Sequence, residues 1–472
     1  MVDGRVYVIF QFDVEDFITP ETDDILLRLA QIMEGFGIKA SFCIVGEKAR
    51  VIERRGRTDV IEALKRQDLA YQSNLHSVHP VIAEYLADKE WDSGVEEVKR
   101  REAPGIEDLK RIFGVEPSAF IQPGGSWAPE TPYAIKLMGV RVYADGIFQS
   151  EPVWFCGELC IRAAQHFPEH SRMEDLKELT SRFDEMYNSK MERGGGVITI
   201  VLHPCMFLTE NFWDAINFAG GINTPPSEFI EPNKRSQLEV EESLETFERF
   251  VGHILDRPGV EALTFRELPS LYVKPDERII SLNEAFKLAE EASGRNDWHI
   301  IGEFSISPAE TLRLLVDLIA EHLFTGTEPR DIRVKFTLGP TSKPLGSPQP
   351  VKMELAELLE LCRAAKAYMD SSGRVPPSLR VRGVNYGPGD ILGAAANAVL
   401  HYSKYDNLPS SLKVHGLQPL PEVVHKWRLK DRVRAQWGWI IFPRSFRSKR
   451  IEEMTLWQSW TMRPAMPLGW KG

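Results

Sequence analysis

Residues 5–16 of the chain read Arg-Val-Tyr-Val-Ile-Phe-Gln-Phe-Asp-Val-Glu-Asp. The first eight of these residues alternate and are rich in valine, isoleucine and phenylalanine, which predicts a β-strand over residues 5–12. Asp13, Glu15 and Asp16 follow at its C-terminal end. Carboxylates clustered in this way repel each other and favour a positive partner, most simply a metal ion. By itself the acidic motif favours the ordinary alternative, a solvated acidic loop or a helix cap.

Strand-like and helical segments alternate outward from this stretch as far as residue 274, which favours a parallel sheet or barrel. The clearest buried strand is Val197–Leu202, a continuous apolar run. Further strands are predicted at residues 38–45, 119–121, 140–144 and 260–265. Helices are predicted at residues 23–35, 59–64, 96–113, 131–138 and 238–254. We therefore expect an α/β domain over residues 1–275.

The chain changes character after residue 275, and residues 276–472 predict a mainly helical accessory domain. An approximate internal repeat lies within it, because Pro308 precedes Pro329 and Pro388 precedes Pro409, each by 21 residues. Such a duplication is typical of one supersecondary unit packed on its copy. The repeat resembles the pseudomurein-binding repeat, and the alternative is an oligomerisation role.

Tryptophan is concentrated near the C-terminal end of the chain. Two interpretations are open for this tail, a platform for a sugar or peptide and ordinary core packing, and we favour packing because aromatic side chains dominate cores. The residues concerned are Trp437, Trp439, Trp457, Trp460 and Trp470.

Composition excludes several classes of function. The 472 residues carry a net charge of -11, which argues against nucleic acid as a main partner because phosphate binding needs a basic surface. No apolar run approaches the roughly 20 residues of a membrane span. The N-terminus shows no secretory signal, and five scattered cysteines do not form a disulfide framework, so we expect a cytoplasmic protein. A homo-oligomer is left open.

Three histidines stand where a site could form. His76 and His79 are three residues apart, a spacing that can place both imidazoles on one side of a turn to bind a metal. His203 follows the buried strand, so its ring is delivered to the mouth of a barrel, where it suits proton transfer. The ordinary alternative for His76 and His79 is that one is a surface histidine and the other a core histidine. For His203 the ordinary alternative is a core histidine. We interpret the other histidines, His166 among them, as structural.

Five segments in this order resemble the motifs of the polysaccharide deacetylase (NodB-homology) family, which is carbohydrate esterase family 4 with its amidase and imidase relatives. The resemblance covers roughly residues 5–270. The family's Asp-rich strand end is similar to Phe12-Asp13-Val14-Glu15-Asp16, and its second strand is similar to residues 37–47. The other three motifs resemble His76-Ser77-Val78-His79-Pro80, Ile121-Gln122-Pro123-Gly124-Gly125 and Leu202-His203.

The resemblance implies a distorted (β/α) barrel that hydrolyses a non-peptide C–N bond with a divalent metal, zinc being favoured. Asp13 would be the general base and His203 the general acid, acting on an N-acyl sugar or a related amide. The implied metal ligands are Asp16, His76 and His79, with Glu15 competing for the carboxylate position. The implied substrate contacts are Pro123, Gly124, Gly125 and Trp127.

The sequence departs from the family pattern in two places. Ile121 stands where the family has an arginine that orients the catalytic aspartate, and His79 lies one residue closer to His76 than the motif requires. Two functions follow. The first is a metal-dependent deacetylase of a small molecule or oligosaccharide. The second is a catalytically degenerate protein of the same fold that acts as a carbohydrate-binding or scaffold protein.

Overall fold

A computed structural model of the protein describes residues 4–149, 151–274, 278–346, 351–414 and 416–469. The chain divides into two compact units. Unit 1 comprises residues 1–152, 158–271 and 433–448, and unit 2 comprises residues 153–157, 272–432 and 449–472. The predicted division at residues 275 and 276 lies close to one of these boundaries. Two segments lie on the other side of the predicted division: residues 433–448 belong to unit 1, and residues 153–157 belong to unit 2. The prediction followed chain order, whereas a compact unit is defined by contacts in space.

The described residues before residue 271 form ten strands. They are β1 (Val6–Val14), β2 (Ser41–Ile44), β3 (Asp68–Tyr71), β4 (Phe120–Ile121), β5 (Val142–Ala144), β6 (Val153–Phe155), β7 (Glu158–Ile161), β8 (Gln165–His166), β9 (Gly196–Leu202) and β10 (Val260–Ala262). All except β6, which is part of unit 2, belong to unit 1. The sequence analysis missed β3, β6, β7 and β8, because strands of two to four residues are too short to show a clear alternation.

The sheet of unit 1 is entirely parallel in the part of the chain that is described. Its strands follow the order β7-β5-β4-β3-β2-β1-β9-β8, and β10 pairs with the first half of β1. β1 is central, since it pairs with β9 from Val6 to Phe12 and with β2 from Gln11 to Val14. The predicted parallel sheet is confirmed. It is a curled half-barrel, because β7 and β8 lie at opposite ends of the order instead of pairing with each other.

The helices of this part of the chain connect the parallel strands. They are α1 (Thr22–Gly35), α2 (Gly46–Arg54), α3 (Thr58–Lys65), α4 (Ile82–Tyr85), α5 (Trp91–Phe113), α6 (Glu130–Leu137), α7 (Leu176–Glu192), α8 (Pro204–Leu208), α9 (Trp213–Asn217) and α10 (Gln237–Leu255). Such helices bury an apolar face. In α1 this face includes Ile25, Leu29 and Met33, which recur at helical spacing and are buried. The five helices predicted here are present, with ends shifted by a few residues.

Unit 2 contains the same order of elements twice: strand, helix, β-hairpin, helix, strand. The first set is β11 (Ile279–Ile280), α11 (Leu282–Ala292), β12 (His299–Ile301), β13 (Phe304–Ile306), α12 (Pro308–Glu321) and β14 (Ile332–Arg333). The second set is β15 (Val351–Glu354), α13 (Leu355–Ser372), β16 (Leu379–Val381), β17 (Val384–Tyr386), α14 (Pro388–Tyr405) and β18 (Ser411–Val414). In both sets the outer strands pair antiparallel. The chain continues through α15 (Val423–Lys426), α16 (Leu429–Gln436), α17 (Lys449–Gln458) and β19 (Arg463–Pro464).

The cysteine and tryptophan interpretations can be compared with this fold. All five cysteines are buried, and no disulfide joins any two of them. Trp437 and Trp460 are buried, as packing requires, whereas Trp439 is partly exposed and Trp470 lies outside the described residues. None of the helices in the described ranges is both long and apolar enough to cross a membrane.

Candidate functional site

The carboxyl ends of β1 and β9 bring Asp13 and His203 together. Phe12 pairs with Leu202 in the parallel register, so the residues that follow them lie side by side. The Nε2 atom of His203 is 3.8 Å from Oδ2 of Asp13. Strand ends at this edge of a parallel sheet are the usual place for an active site.

Glu169 holds His203, and Gln11 holds Asp13. One carboxylate oxygen of Glu169 accepts the backbone N–H of His203 and lies 3.0 Å from its Nδ1. The Nε2 group of Gln11 donates to Oδ1 of Asp13 at 2.8 Å. Glu169 therefore fixes the imidazole ring so that Nε2 faces Asp13.

Burial and charge move the two pKa values apart. Burial raises the pKa of Asp13 to about 6, against the opposing effects of His203 and Gln11. Burial alone would lower the pKa of His203, but the carboxylates of Glu169, Glu15 and Asp13 raise it to about 10. At neutral pH Asp13 is therefore mainly a carboxylate and His203 an imidazolium, a base beside an acid.

A second charged pair, Glu15 with His76, lies at the same strand edge. Oε2 of Glu15 is 3.0 Å from Nε2 of His76, and Trp213 donates its indole N–H to Oε1 of Glu15 at 3.3 Å. Burial alone would lower the pKa of His76, but Glu15 raises it. Burial alone would raise the pKa of Glu15, but His76 lowers it. The two side chains therefore form a buried ion pair.

The other ring nitrogen of His76 belongs to a hydrogen-bonded chain. Nδ1 lies 2.7 Å from the Ser77 hydroxyl, which donates to Oδ2 of Asp214 at 3.0 Å. Since the hydroxyl proton is used on Asp214, Ser77 accepts from His76, and Nδ1 carries a proton. Trp439 also donates its indole N–H to this Asp214 oxygen, at 3.2 Å.

Two of the predicted metal ligands point elsewhere. Oδ1 of Asp16 accepts the backbone N–H groups of Ile18 and Thr19, at 2.8 and 3.0 Å, and so caps the turn before α1. His79 places Nδ1 2.6 Å from Glu84 and Nε2 3.2 Å from the backbone oxygen of Phe218. Neither residue lines the cavity at Asp13.

The predicted ligand set of Asp16, His76 and His79 therefore does not fit one ion in this arrangement. Glu15, which competes for the carboxylate position, does lie 3.0 Å from Nε2 of His76, but a metal site needs three or more donors that converge and this pair supplies two. Among the described residues, no group of three or more His, Cys, Asp or Glu side chains is placed to hold a metal ion. Zinc dependence is therefore implied by the sequence resemblance alone.

The two pairs form one end of a cavity of about 600 Å³. Aromatic side chains of Phe212 and Trp439, with ring centroids 5.6 Å apart, form part of its wall. We call this space the main cavity. The side chains and glycines that line it are Asp13, Glu15, Gln72, His76, Gln122, Gly124, Gly125, His166, His203, Phe212, Ala435, Gln436, Gly438 and Trp439.

The predicted substrate contacts fall into two groups. Gly124 and Gly125 line the main cavity, both with positive φ, and a side chain on Gly125 would collide with the backbone oxygen of Gln436. Trp127 is fully buried and packs against Tyr143 and Phe148, so it is a core residue. Pro123 forms the turn, where its carbonyl accepts the N–H of Ser126, and is absent from the cavity wall.

The structure also places residues in the site that the sequence analysis missed or interpreted otherwise. His166, interpreted as structural, lines the main cavity with its ring parallel to that of His203 at 6.0 Å. Trp439 lines the cavity although packing was favoured for it. Glu169 follows a two-residue strand, β8, that gave no periodic signal. Only the tryptophan enrichment near the C-terminal end pointed towards Trp439.

Comparison with known proteins gives partial likenesses. No family model matches this chain, and no curated protein matches it. Among solved structures, the Xyl-CE4 domain of a multidomain xylanase from the hindgut metagenome of Trinervitermes trinervoides is 12% identical, with 57% of this chain and 94% of that one covered, at a TM-score of 0.31.

Two other solved structures are similar to a comparable extent. Puue allantoinase is 10% identical over 54% of this chain and 87% of that one, at a TM-score of 0.37. A CE4 family pseudoenzyme from Bacillus anthracis is 11% identical over 55% and 65%, at a TM-score of 0.31. At such scores these likenesses establish neither a family nor an activity for this chain.

Proposed function

We propose that unit 1 is a hydrolase that removes an acyl group from the nitrogen of a sugar or a related amide. The observation that carries the proposal is the Asp13–His203 pair, a carboxylate and an imidazolium 3.8 Å apart at one end of a cavity. The pKa of Asp13 is raised to about 6 and that of His203 to about 10, so at neutral pH a base stands beside an acid, as the two proton transfers of amide hydrolysis require.

Each residue has one task in this mechanism. Asp13 takes a proton from the attacking water, and His203 gives its Nε2 proton to the nitrogen that leaves when the C–N bond breaks. Glu169 holds the imidazole through Nδ1 and stabilises its positive charge. Phe212 and Trp439 offer apolar ring faces of the kind on which a sugar ring can pack.

The proposal is tested by measuring acetate released from N-acetylated mono- and oligosaccharides. We expect release by the wild type and a loss of at least about 100-fold in both Asp13→Asn and His203→Asn, because general acid–base catalysis contributes about 10²–10⁴-fold. Asp88→Asn and His425→Asn are matched controls on exposed residues and should retain wild-type rates. Release that is unchanged in Asp13→Asn would disprove the assignment.

The second candidate is a binding protein of the same fold without turnover. It is favoured by the positions of Asp16 and His79, which leave the predicted metal set dispersed. This candidate predicts that N-acetylated oligosaccharides bind without acetate release. Trp439→Ala should then abolish binding, whereas Asp13→Asn should leave it intact.

A further inference from the structure

A smaller cavity of about 280 Å³ adjoins the main cavity, and we call it the side pocket. The two spaces share Asp13, Gln122, Gly125, His166 and Gln436. The side pocket has three polar residues of its own: Gln11 in β1, Asp145 directly after β5 and Arg162 directly after β7. A substituent of the same substrate could therefore reach from one space into the other past Asp13.

Two buried oxygens in the side pocket have no hydrogen-bond partner among the described residues, Oε1 of Gln11 and Oδ2 of Asp145. The other polar atoms of these side chains are used, since Gln11 donates to Asp13 at 2.8 Å and Oδ1 of Asp145 accepts the Ile147 N–H at 2.7 Å. Both residues are more than nine-tenths buried. Because an unpaired buried acceptor is costly, a donor from outside the protein, either a water molecule or a ligand hydroxyl, would stabilise both oxygens.

Arg162 supplies a positive charge to the same space. Within the described ranges its guanidinium makes no ion pair, yet it is close enough to influence two neighbours. Burial raises the pKa of Asp145 to about 7, and Arg162 opposes that rise. Burial and the charges of His203 and Arg162 also lower the pKa of His166. An anion beside Arg162 would therefore meet a neutral His166 at pH 7.

We infer that the side pocket binds a carboxylated sugar unit, a uronic acid, with its carboxylate on Arg162 and its hydroxyl groups on Gln11 and Asp145. A guanidinium matches a carboxylate with two parallel hydrogen bonds, and neighbouring hydroxyls supply the donors that the two oxygens need. A neutral sugar would leave the guanidinium unused. The charge of Asp13 across the pocket is offset by His203 at 3.8 Å.

The inference rests on the proposed function only in that the uronic acid would be part of the hydrolysed substrate, and binding is measured without turnover. Calorimetric titration compares sodium glucuronate with glucose on the full-length protein. We expect glucuronate to bind about tenfold more tightly than glucose, and Arg162→Gln to remove that difference. Arg249→Gln, which changes an exposed arginine on α10, is the matched control and should bind as the wild type does.

The inference is overturned if glucuronate binds no more tightly than glucose, or if Arg162→Gln binds it as the wild type does. Arg162 is exposed, so its replacement should leave the melting temperature unchanged, and a melting scan checks this. Glucuronate binding that depends on Arg162, in a protein that releases no acetate, would retain the subsite and reject the hydrolase. Acetate release without glucuronate binding would do the reverse.

Discussion

At the residue scale, the chemistry depends on which groups face His203 and Asp13. Glu169 is the largest of the influences that raise the His203 pKa to about 10, and burial is what raises that of Asp13 to about 6. The raised pKa of His203 therefore depends mainly on one side chain that can be replaced. The raised pKa of Asp13 depends on burial by all the residues around this strand end. The two limbs of a pH profile should therefore respond differently to a single substitution.

The pH dependence of acetate release should be bell-shaped. The rate rises through about pH 6 as Asp13 loses its proton and becomes a base, and falls through about pH 10 as His203 loses the proton it must donate. Glu169→Gln should move the upper limb down towards the ordinary histidine value near 6.5, and leave the lower limb nearly unchanged. The profile of kcat/KM measures both, with exposed Glu174→Gln as control. An upper limb that Glu169→Gln does not move would contradict the assigned role.

Metal dependence is a separate residue-scale prediction. Because Asp16 caps a turn and His79 contacts Glu84, we expect protein purified without added metal to hold far less than one equivalent of zinc. Chelator treatment should leave the rate of acetate release unchanged. Metal analysis of wild type, His76→Ala and His79→Ala checks this. About one equivalent of zinc that both substitutions remove would restore the ligand set implied by the sequence resemblance.

At the element scale, α12 and α14 occupy equivalent places in the two element sets of unit 2 but begin differently. α12 starts with a capping box in which Glu310 accepts the Ser307 N–H at 2.9 Å, and the same buried carboxylate is paired with Arg278 and Arg463. α14 starts with Asp390 accepting the Gly387 N–H at 2.8 Å. Only the first of these helix starts combines a cap with a buried ion network.

Glu310→Gln should lower the free energy of unfolding by about 3 kcal/mol, because it leaves two buried guanidiniums without their carboxylate. Asp390→Asn is the matched control in the second set and should cost less than about 1 kcal/mol, because the amide oxygen of asparagine can still accept the Gly387 N–H. Burial alone would raise the pKa of Glu310, but the arginines lower it to about 2. The stabilisation is therefore complete above the ordinary glutamate pKa and is lost as pH falls towards 2. Denaturant unfolding at pH 7 and pH 3 measures the cost of each substitution and its dependence on pH. Equal costs in Glu310→Gln and Asp390→Asn would contradict a contribution from the ion network.

At the scale of the whole molecule, the cavity wall is assembled from distant parts of the chain. Residues 433–448 belong to unit 1, and they bring Gln436 and Trp439 to strand ends located before residue 204. The close approach of this segment depends on Gly125, whose α-hydrogen side faces the Gln436 carbonyl. Any side chain at this position would have to displace the segment.

Gly125→Ala should displace residues 433–448 and open the aromatic side of the main cavity, because the new methyl group would overlap the Gln436 oxygen. Gly139→Ala is the matched control, since this glycine also has a positive φ but nothing lies near its α-carbon. Both substitutions carry about 1 kcal/mol of backbone strain, and only the first carries the collision. Hydrogen exchange of residues 433–448 should therefore rise in Gly125→Ala alone. Equal exchange in the two variants would show that the close approach is not needed.

The sequence by itself determined the parallel α/β order, because apolar alternation and helical spacing are local properties of a chain. The strand pattern is clearest at residues 5–16 and 197–203. It also located Asp13, Glu15 and His203, since strand ends can be read along the chain, and it located His76 through its spacing to His79. Only the tertiary structure decided which of these side chains converge. The directions of Asp16 and His79 depend on a turn cap and on Glu84, and the contributions of Glu169, Arg162 and Trp439 depend on strand neighbours and on a segment more than 200 residues away. These are contacts between distant residues, and no local pattern encodes them.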